Sequence, residues 1–384
     1  MVRPSHAIAF PPSPAQLCTG LIVISCGILG FGCNGGNSSP SESSAASQAV
    51  STQNLQAQLD DVLVATYQKR HLSLQEHAAW QILHGVLAYQ QSFLIDNRGQ
   101  RVSAVEHVLE GGDMKGWTTQ VVVDAETGQR GLRALLEPGS QTGQGHADQW
   151  LAVLAQCGLA PEQPIRIEED VLTMNDFVAQ VQWDVPRNLE REYSWTLIGL
   201  TSYMRTDAQW TASDGQLWSI EKLVEIETEQ ELASSACGGT HRLIGLAMAL
   251  NRHLDQDGQV TGVWSRADAV IQEAIKNAQR FQNPDGSFST RYFEGPGSSP
   301  DLAQNLGTTG HILEFLTLAM TDEQLNEPWV QRAAANLCEL FRRTMNVPLE
   351  CGALYHAAHG LVLYRQRVFG ERSYASSGEE VDAG

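Results

Sequence analysis

Six nine-residue segments constrain this chain more than any other feature. They are QILHGVLAY (81–89), HADQWLAVL (146–154), WTLIGLTSY (195–203), HRLIGLAMA (241–249), HILEFLTLA (311–319) and HAAHGLVLY (356–364). Aligned without gaps, their fifth positions are Gly85, Trp150, Gly199, Gly245, Phe315 and Gly360, and their sixth are Val86, Leu151, Leu200, Leu246, Leu316 and Leu361. The starts at 146, 195, 241, 311 and 356 are 49, 46, 70 and 45 residues apart. Each segment is apolar almost all round, a pattern that suits a helix covered on most faces. A mid-helix glycine costs about 1 kcal/mol against alanine, so its recurrence at one register predicts close approach of a neighbouring backbone.

Other segments have one wet face. LQAQLDDVLVATY sets Leu55, Leu59, Val62 and Leu63 opposite Asp60 and Asp61. DAVIQEAIKNAQRF and EPWVQRAAANLCELFRRT repeat the arrangement around Ile271 and Leu337. Buried helices alternating with amphipathic ones predict a double ring, inner helices enclosed and outer helices wet outside. Residues 94–145 interrupt the pattern. There WTTQVVVDAETGQRGLRALL alternates about a turn-like Glu126-Thr-Gly128, which predicts an inserted β-hairpin.

The stretch AIKNAQRFQNPDGSF carries Gln282, Gly286 and Phe288, with Pro284-Asp285-Gly286 as turn chemistry. It resembles the QW-type repeat of the α/α-toroid superfamily, which includes terpenoid cyclases and protein prenyltransferases, with Phe288 in the place of a tryptophan. The resemblance covers about fifteen residues and implies an all-α, (α/α)6-type toroid over residues 54–370. The acid motifs of terpene cyclases are absent from the chain, so that activity is not implied. DQDGQV (255–260) lacks the spacing of a calcium-binding EF-hand loop and is expected to be a helix-ending turn.

Both ends of the chain fall outside the repeats. LCTGLIVISCGILGFGC (17–33) is short for a membrane span and has the length of a signal-peptide core. It resembles a bacterial lipoprotein signal with Cys33 as the lipidated residue, Cys26 being the second choice. That resemblance implies an exported, envelope-located protein tethered to a membrane by its lipid. The expected divisions are 1–33 signal, 34–53 disordered Gly/Ser linker, 54–370 toroid and 371–384 disordered tail. The net charge of −19 disfavours nucleic acid as a partner.

Candidate chemistry follows from register. First positions of the repeats hold His146, His241, His311 and His356; fourth positions hold His84, Glu314 and His359. First and fourth residues share a helix face, so His241, His311, Glu314, His356 and His359 are expected to converge at one mouth of a central funnel. Histidines and a carboxylate there suit general acid–base work on a glycan or an apolar, isoprenoid-like ligand. Glu350 and Asp301 are candidates for a second carboxylate. ACGGTH and ECGALYHAAH place Cys237 with His241, and Cys351 with His356 and His359. Zinc accepts such ligands, and zinc at the funnel is also what protein prenyltransferases and lanthionine cyclases would imply. A Cys237–Cys351 disulfide, two inert thiols, and a binding or scaffold role without catalysis are the remaining readings.

Overall fold

The computed structural model describes residues 42–124, 128–188 and 192–374, with side chains from residue 54 onward. The chain is mostly helical, with small antiparallel hairpins between helices. α1 (Glu42–Lys69) leads to α2 (Ala79–Tyr89), the hairpin β1–β2 (Leu94–Asn97, Gln100–Ser103) and α3 (Ala104–Leu109). The hairpin β3–β4 (Trp117–Val123, Arg130–Leu136) precedes α4 (Gln149–Gln156). Then come β5–β6 (Pro164–Ile167, Asp170–Thr173), α5 (Met174–Asp184), α6 (Ser194–Tyr203), β7–β8 (Gln209–Thr211, Leu217–Ser219) and α7 (Ile220–Glu229). The remainder is helical: α8 (Thr240–Asp255), α9 (Val263–Arg280), α10 (Leu302–Ala319), α11 (Asp322–Leu325), α12 (Pro328–Thr344) and α13 (Cys351–Phe369).

The six repeated segments lie on α2, α4, α6, α8, α10 and α13. α2 packs on α4, α4 on α6, α6 on α8, α8 on α10, α10 on α13, and α13 on α2. α3, α5, α7, α9, α12 and α1 lie against these helices. Burial follows the sequence pattern: residues 306–318 of α10 are all buried, whereas α9 and α12 bury one face each. Two of the repeated glycines meet neighbouring backbone as expected. A Cβ on Gly245 would stand 2.8 Å from the Ser194 carbonyl oxygen, and one on Gly360 2.9 Å from the Glu314 nitrogen. Gly199 faces the Leu151 side chain instead, and Gly85 is required by the Phe93 ring.

The anticipated hairpin is β3–β4, paired from Trp117–Leu136 to Val123–Arg130; residues 125–127 at its tip lie outside the described residues. The expectation of an otherwise all-α body needs correction. β1–β2, β5–β6 and β7–β8 each run directly into a helix whose cap is the last strand residue. Ser103, Thr173 and Ser219 accept from the backbone of the third residue beyond, at the starts of α3, α5 and α7. Each hairpin thus hands the chain from a buried helix to an outer one.

Two sequence assignments change and one holds. α1 begins inside the stretch assigned to a linker, where SESSAASQAVST has neither glycine nor proline to stop a helix. The chain after α13 packs back: Tyr374 is buried edge-on to Tyr89, and Arg372 pairs with Asp60 at 2.7 Å, so residues 371–374 belong to the body. α8 ends at Asp255 and His253 stacks on Trp264, as a helix-ending turn requires. The signal segment, Cys33, and residues 34–41 and 375–384 lie outside the described residues. Among the described residues no helix is long and apolar enough to cross a membrane.

The Gln282 turn joins two helices. Its amide donates to the Gly286 and Trp329 carbonyls at 2.9 and 2.8 Å. Gly286 has φ +90° and a Cβ there would stand 2.5 Å from the Arg332 carbonyl oxygen, and Phe288 is fully buried against Trp329. The end of α9 is thereby fixed to the start of α12.

Candidate functional site

The histidines converge. His241 comes from the first turn of α8, His311 from the middle of α10, and His356 and His359 from one face of α13; all four are buried. The ring centroids of His311 and His356 are 4.3 Å apart, those of His241 and His356 5.2 Å, and those of His241 and His311 5.7 Å. His84 joins from α2, 5.0 Å from His356, and His146 from the loop before α4, 4.8 Å from His241. One expectation changes: α10 and α13 begin at Leu302 and Cys351, so His311 and His356 project from helix interiors rather than helix starts.

Hydrogen bonds fix how each ring is presented. His311 Nδ1–H donates to the Gly307 carbonyl at 2.7 Å and His84 Nδ1–H to the Trp80 carbonyl at 2.5 Å. Glu314, one turn beyond His311, accepts from His356 Nδ1 at 2.7 Å and His359 Nδ1 at 2.6 Å. With Nδ1 committed as donor, Nε2 is left as the free face. His84 Nε2 is met by the Gln149 amide at 3.5 Å, but His356 Nε2 and both nitrogens of His241 have no partner among the described residues. Nor does the indole N–H of Trp195, whose ring is 5.2 Å from His241. Unpaired buried polar groups of this kind are uncommon in folded proteins.

The electrostatics follow from burial. Burial pushes His356 down to about 3, although Glu314 pulls the other way, and pushes His241 well below the ordinary histidine value with help from neighbouring imidazoles. Both are neutral, with lone pairs available. Burial pulls Glu314 upward, but His356 and His359 outweigh it and hold the carboxyl well below its usual range. His311 goes the other way: despite burial, the Cys237 sulfur, Glu314 and the Gly307 carbonyl raise it to about 9. A cation at that sulfur would take the place of this proton.

Cys237 is half-buried and delivered by an unusual turn. Cys237, Gly238 and Gly239 all have left-handed backbone, with φ of 49°, 62° and 81°, immediately before α8. The two glycines adopt this freely; Cys237 carries the strain, of the sort that collects at functional sites. The ligand atoms of Cys237, His241 and His311 lie within 4.8 Å of one another, as do those of His146, Glu192 and His241.

Several sequence candidates sit elsewhere. Cys351 is buried at the start of α13 with Gln81 Nε2 at 3.6 Å from its sulfur, and burial raises its thiol to about 11. It joins neither group and is a free thiol, as is Cys237, so no disulfide links them. Glu350 and Asp301 are helix caps: Glu350 accepts from the Gly352 and Ala353 N–H groups, Asp301 from those of Ala303 and Gln304. That employment removes them as a second carboxylate. Glu192 is the residue that register reasoning missed, because it lies in the connection before α6; its proximity to His146 is not encoded in any period.

Two cavities adjoin the cluster. The smaller is bounded by Leu87, Trp195, Ile198, His241, Ile244 and Glu314. The larger lies under β3–β4 and α5, with Trp117, Trp150, Phe177, Arg133, His146 and Asp148 in its wall. No protein family, curated protein or solved structure matches this chain significantly.

Proposed function

We propose that the chain is an α/α-toroid protein that holds a divalent transition-metal ion, zinc by preference, between Cys237, His241 and His311 and uses the centre on a small polar ligand. The cyclic packing order of α2, α4, α6, α8, α10 and α13 supports the toroid. The cation site rests on one observation, the approach of a sulfur and two imidazole nitrogens to within 4.8 Å of one another. Zinc bonds of ~2.0–2.3 Å place tetrahedral ligands ~3.3–3.8 Å apart, so small side-chain rotations close the set. The fit is supported by the unpaired nitrogens of His241, which an ion would satisfy.

Bound zinc supplies polarisation of an oxygen-bearing group and acidification of a water. The rest is work for the chain. His356, neutral and with a free Nε2, accepts a hydrogen bond from a group entering the centre. Glu314 fixes the tautomer of His356. The Trp195 N–H offers a hydrogen bond in the same space, and Leu87, Ile198 and Ile244 exclude water.

Both cavities are narrow, each with room for about a water molecule or two rather than the ~300–1,000 Å³ of a small-molecule site. The larger one has aromatic rings beside Arg133, His146 and Asp148. Such a wall favours a small polar guest over an isoprenoid chain, which needs a long apolar lining. Export and lipid tethering through Cys33 complete the proposal, supported by the sequence of residues 17–33; Cys33→Ala should release the protein from membranes.

Elemental analysis of the full chain, produced with added zinc and purified without chelator, tests the centre. At least about one equivalent of zinc should be retained, and Cys237→Ser with His311→Ala should remove about one equivalent while circular dichroism stays unchanged. Zinc below about a tenth of an equivalent in the parent protein overturns the proposal.

A further inference from the structure

We infer that His241 serves two cation sites, one ring nitrogen in each, and that the second site consists of His146, Glu192 and His241. The inference rests on the Cys237 site proposed above and extends it to a binuclear centre.

Three observations carry it. First, the ligand atoms of His146, Glu192 and His241 lie within 4.8 Å of one another. His146 Nδ1 is 3.2 Å from one Glu192 oxygen, and His241 Nδ1 is 3.9 Å from the other. Second, polar atoms of this group lack hydrogen-bond partners: Glu192 Oε1 and both nitrogens of the 3 % exposed His241. A single ion at Cys237 would satisfy only one of those nitrogens and leave the other, with the carboxylate oxygen, unpaired in the interior. Third, two imidazoles and one carboxylate form a donor set suited to zinc and other first-row divalent ions, and such three-ligand sets keep an open position.

That open position has somewhere to face. His146 belongs both to this triad and to the wall of the larger cavity, whereas Cys237 and His311 do not touch that cavity. The second site is therefore the one that meets a ligand's oxygen, and the Cys237 site the one that anchors His241. The chemical class of ligand is the small polar guest assigned to the cavity, bound through an oxygen.

Cobalt(II) titration of the chelator-stripped full chain tests this without relying on turnover. The parent should take up about two equivalents, only one of them giving a thiolate-to-cobalt charge-transfer band. His146→Ala, at a half-exposed residue, and the isosteric Glu192→Gln should each lose one equivalent and keep that band. Cys237→Ser should lose the band and one equivalent. Uptake of one equivalent, bearing the sulfur band and unaltered by His146→Ala and Glu192→Gln, overturns the second site and leaves the first standing. Uptake of one equivalent that vanishes with Glu192→Gln but survives Cys237→Ser overturns the sharing and the Cys237 site together.

Discussion

Two buried polar networks meet on α8 at consecutive residues and follow opposite plans. Arg242 donates to Glu227 at 2.6 Å and to Ser235 at 2.6 Å; Glu227 also accepts from the Tyr193 N–H at 2.7 Å and the Ser194 hydroxyl at 2.9 Å. Both Glu227 oxygens are employed. His241, one residue earlier and equally buried, has neither nitrogen paired. A satisfied buried ion network secures a unique arrangement of the helices that meet there, here α6, α7 and α8. An unsatisfied one costs stability, and its presence beside a strained cysteine supports the proposed cation site.

The largest effect should come from the satisfied network. Glu227→Ala leaves Arg242 buried and unpaired and should cost ~3–5 kcal/mol in chemical denaturation; a loss below ~1 kcal/mol would erase the contrast. Gly360→Ala should be next, at ~2–3 kcal/mol, since the added methyl meets the backbone of Glu314 at 2.9 Å. Because Glu314 orients His356 and His359, the same variant should weaken the site beyond its effect on stability.

Asp148 gives a smaller, pH-dependent effect. Burial pushes its carboxyl up to about 6 despite the hydrogen bond from Thr196. A folded value above the unfolded ~3.9 means that this residue's favourable contribution is complete below about pH 4 and lost between about pH 4 and 6. Asp148→Asn should therefore stabilise by ~1–2 kcal/mol at pH 7, less than the full shift implies because the carboxylate keeps an accessible face. The gain should disappear at pH 4; a gain independent of pH would assign it to another cause. Smallest of all, and opposite in sign to Glu227→Ala, metal-free His241→Leu should be neutral or up to ~1 kcal/mol more stable than its parent. A marked loss would place His241 with Arg242 as a structural residue.

Much of this was legible in the sequence, for identifiable reasons. The six apolar segments gave the buried helices because enclosure on all sides leaves no polar stripe, and His241, His311, Glu314, His356 and His359 were placed together by sharing a register. The three extra hairpins escaped because strands of three or four residues hold too few alternations to show a period. Their repeated signature, a short turn followed by Ser103, Thr173 or Ser219 and an apolar helix start, was present but rests on caps rather than hydrophobicity. Glu350 and Asp301 misled because a capping carboxylate and a catalytic one are written with the same letters. Glu192 and the left-handed turn at Cys237 depend on loop geometry, which no local pattern records.

X-ray absorption at the zinc edge of the zinc-loaded full chain tests the central claim most directly. The account predicts a mixed sulfur and nitrogen shell, with Zn–S at ~2.3 Å and Zn–N at ~2.0–2.1 Å, whose sulfur contribution is lost in Cys237→Ser. A shell of oxygen alone, or one indifferent to Cys237→Ser, would contradict it.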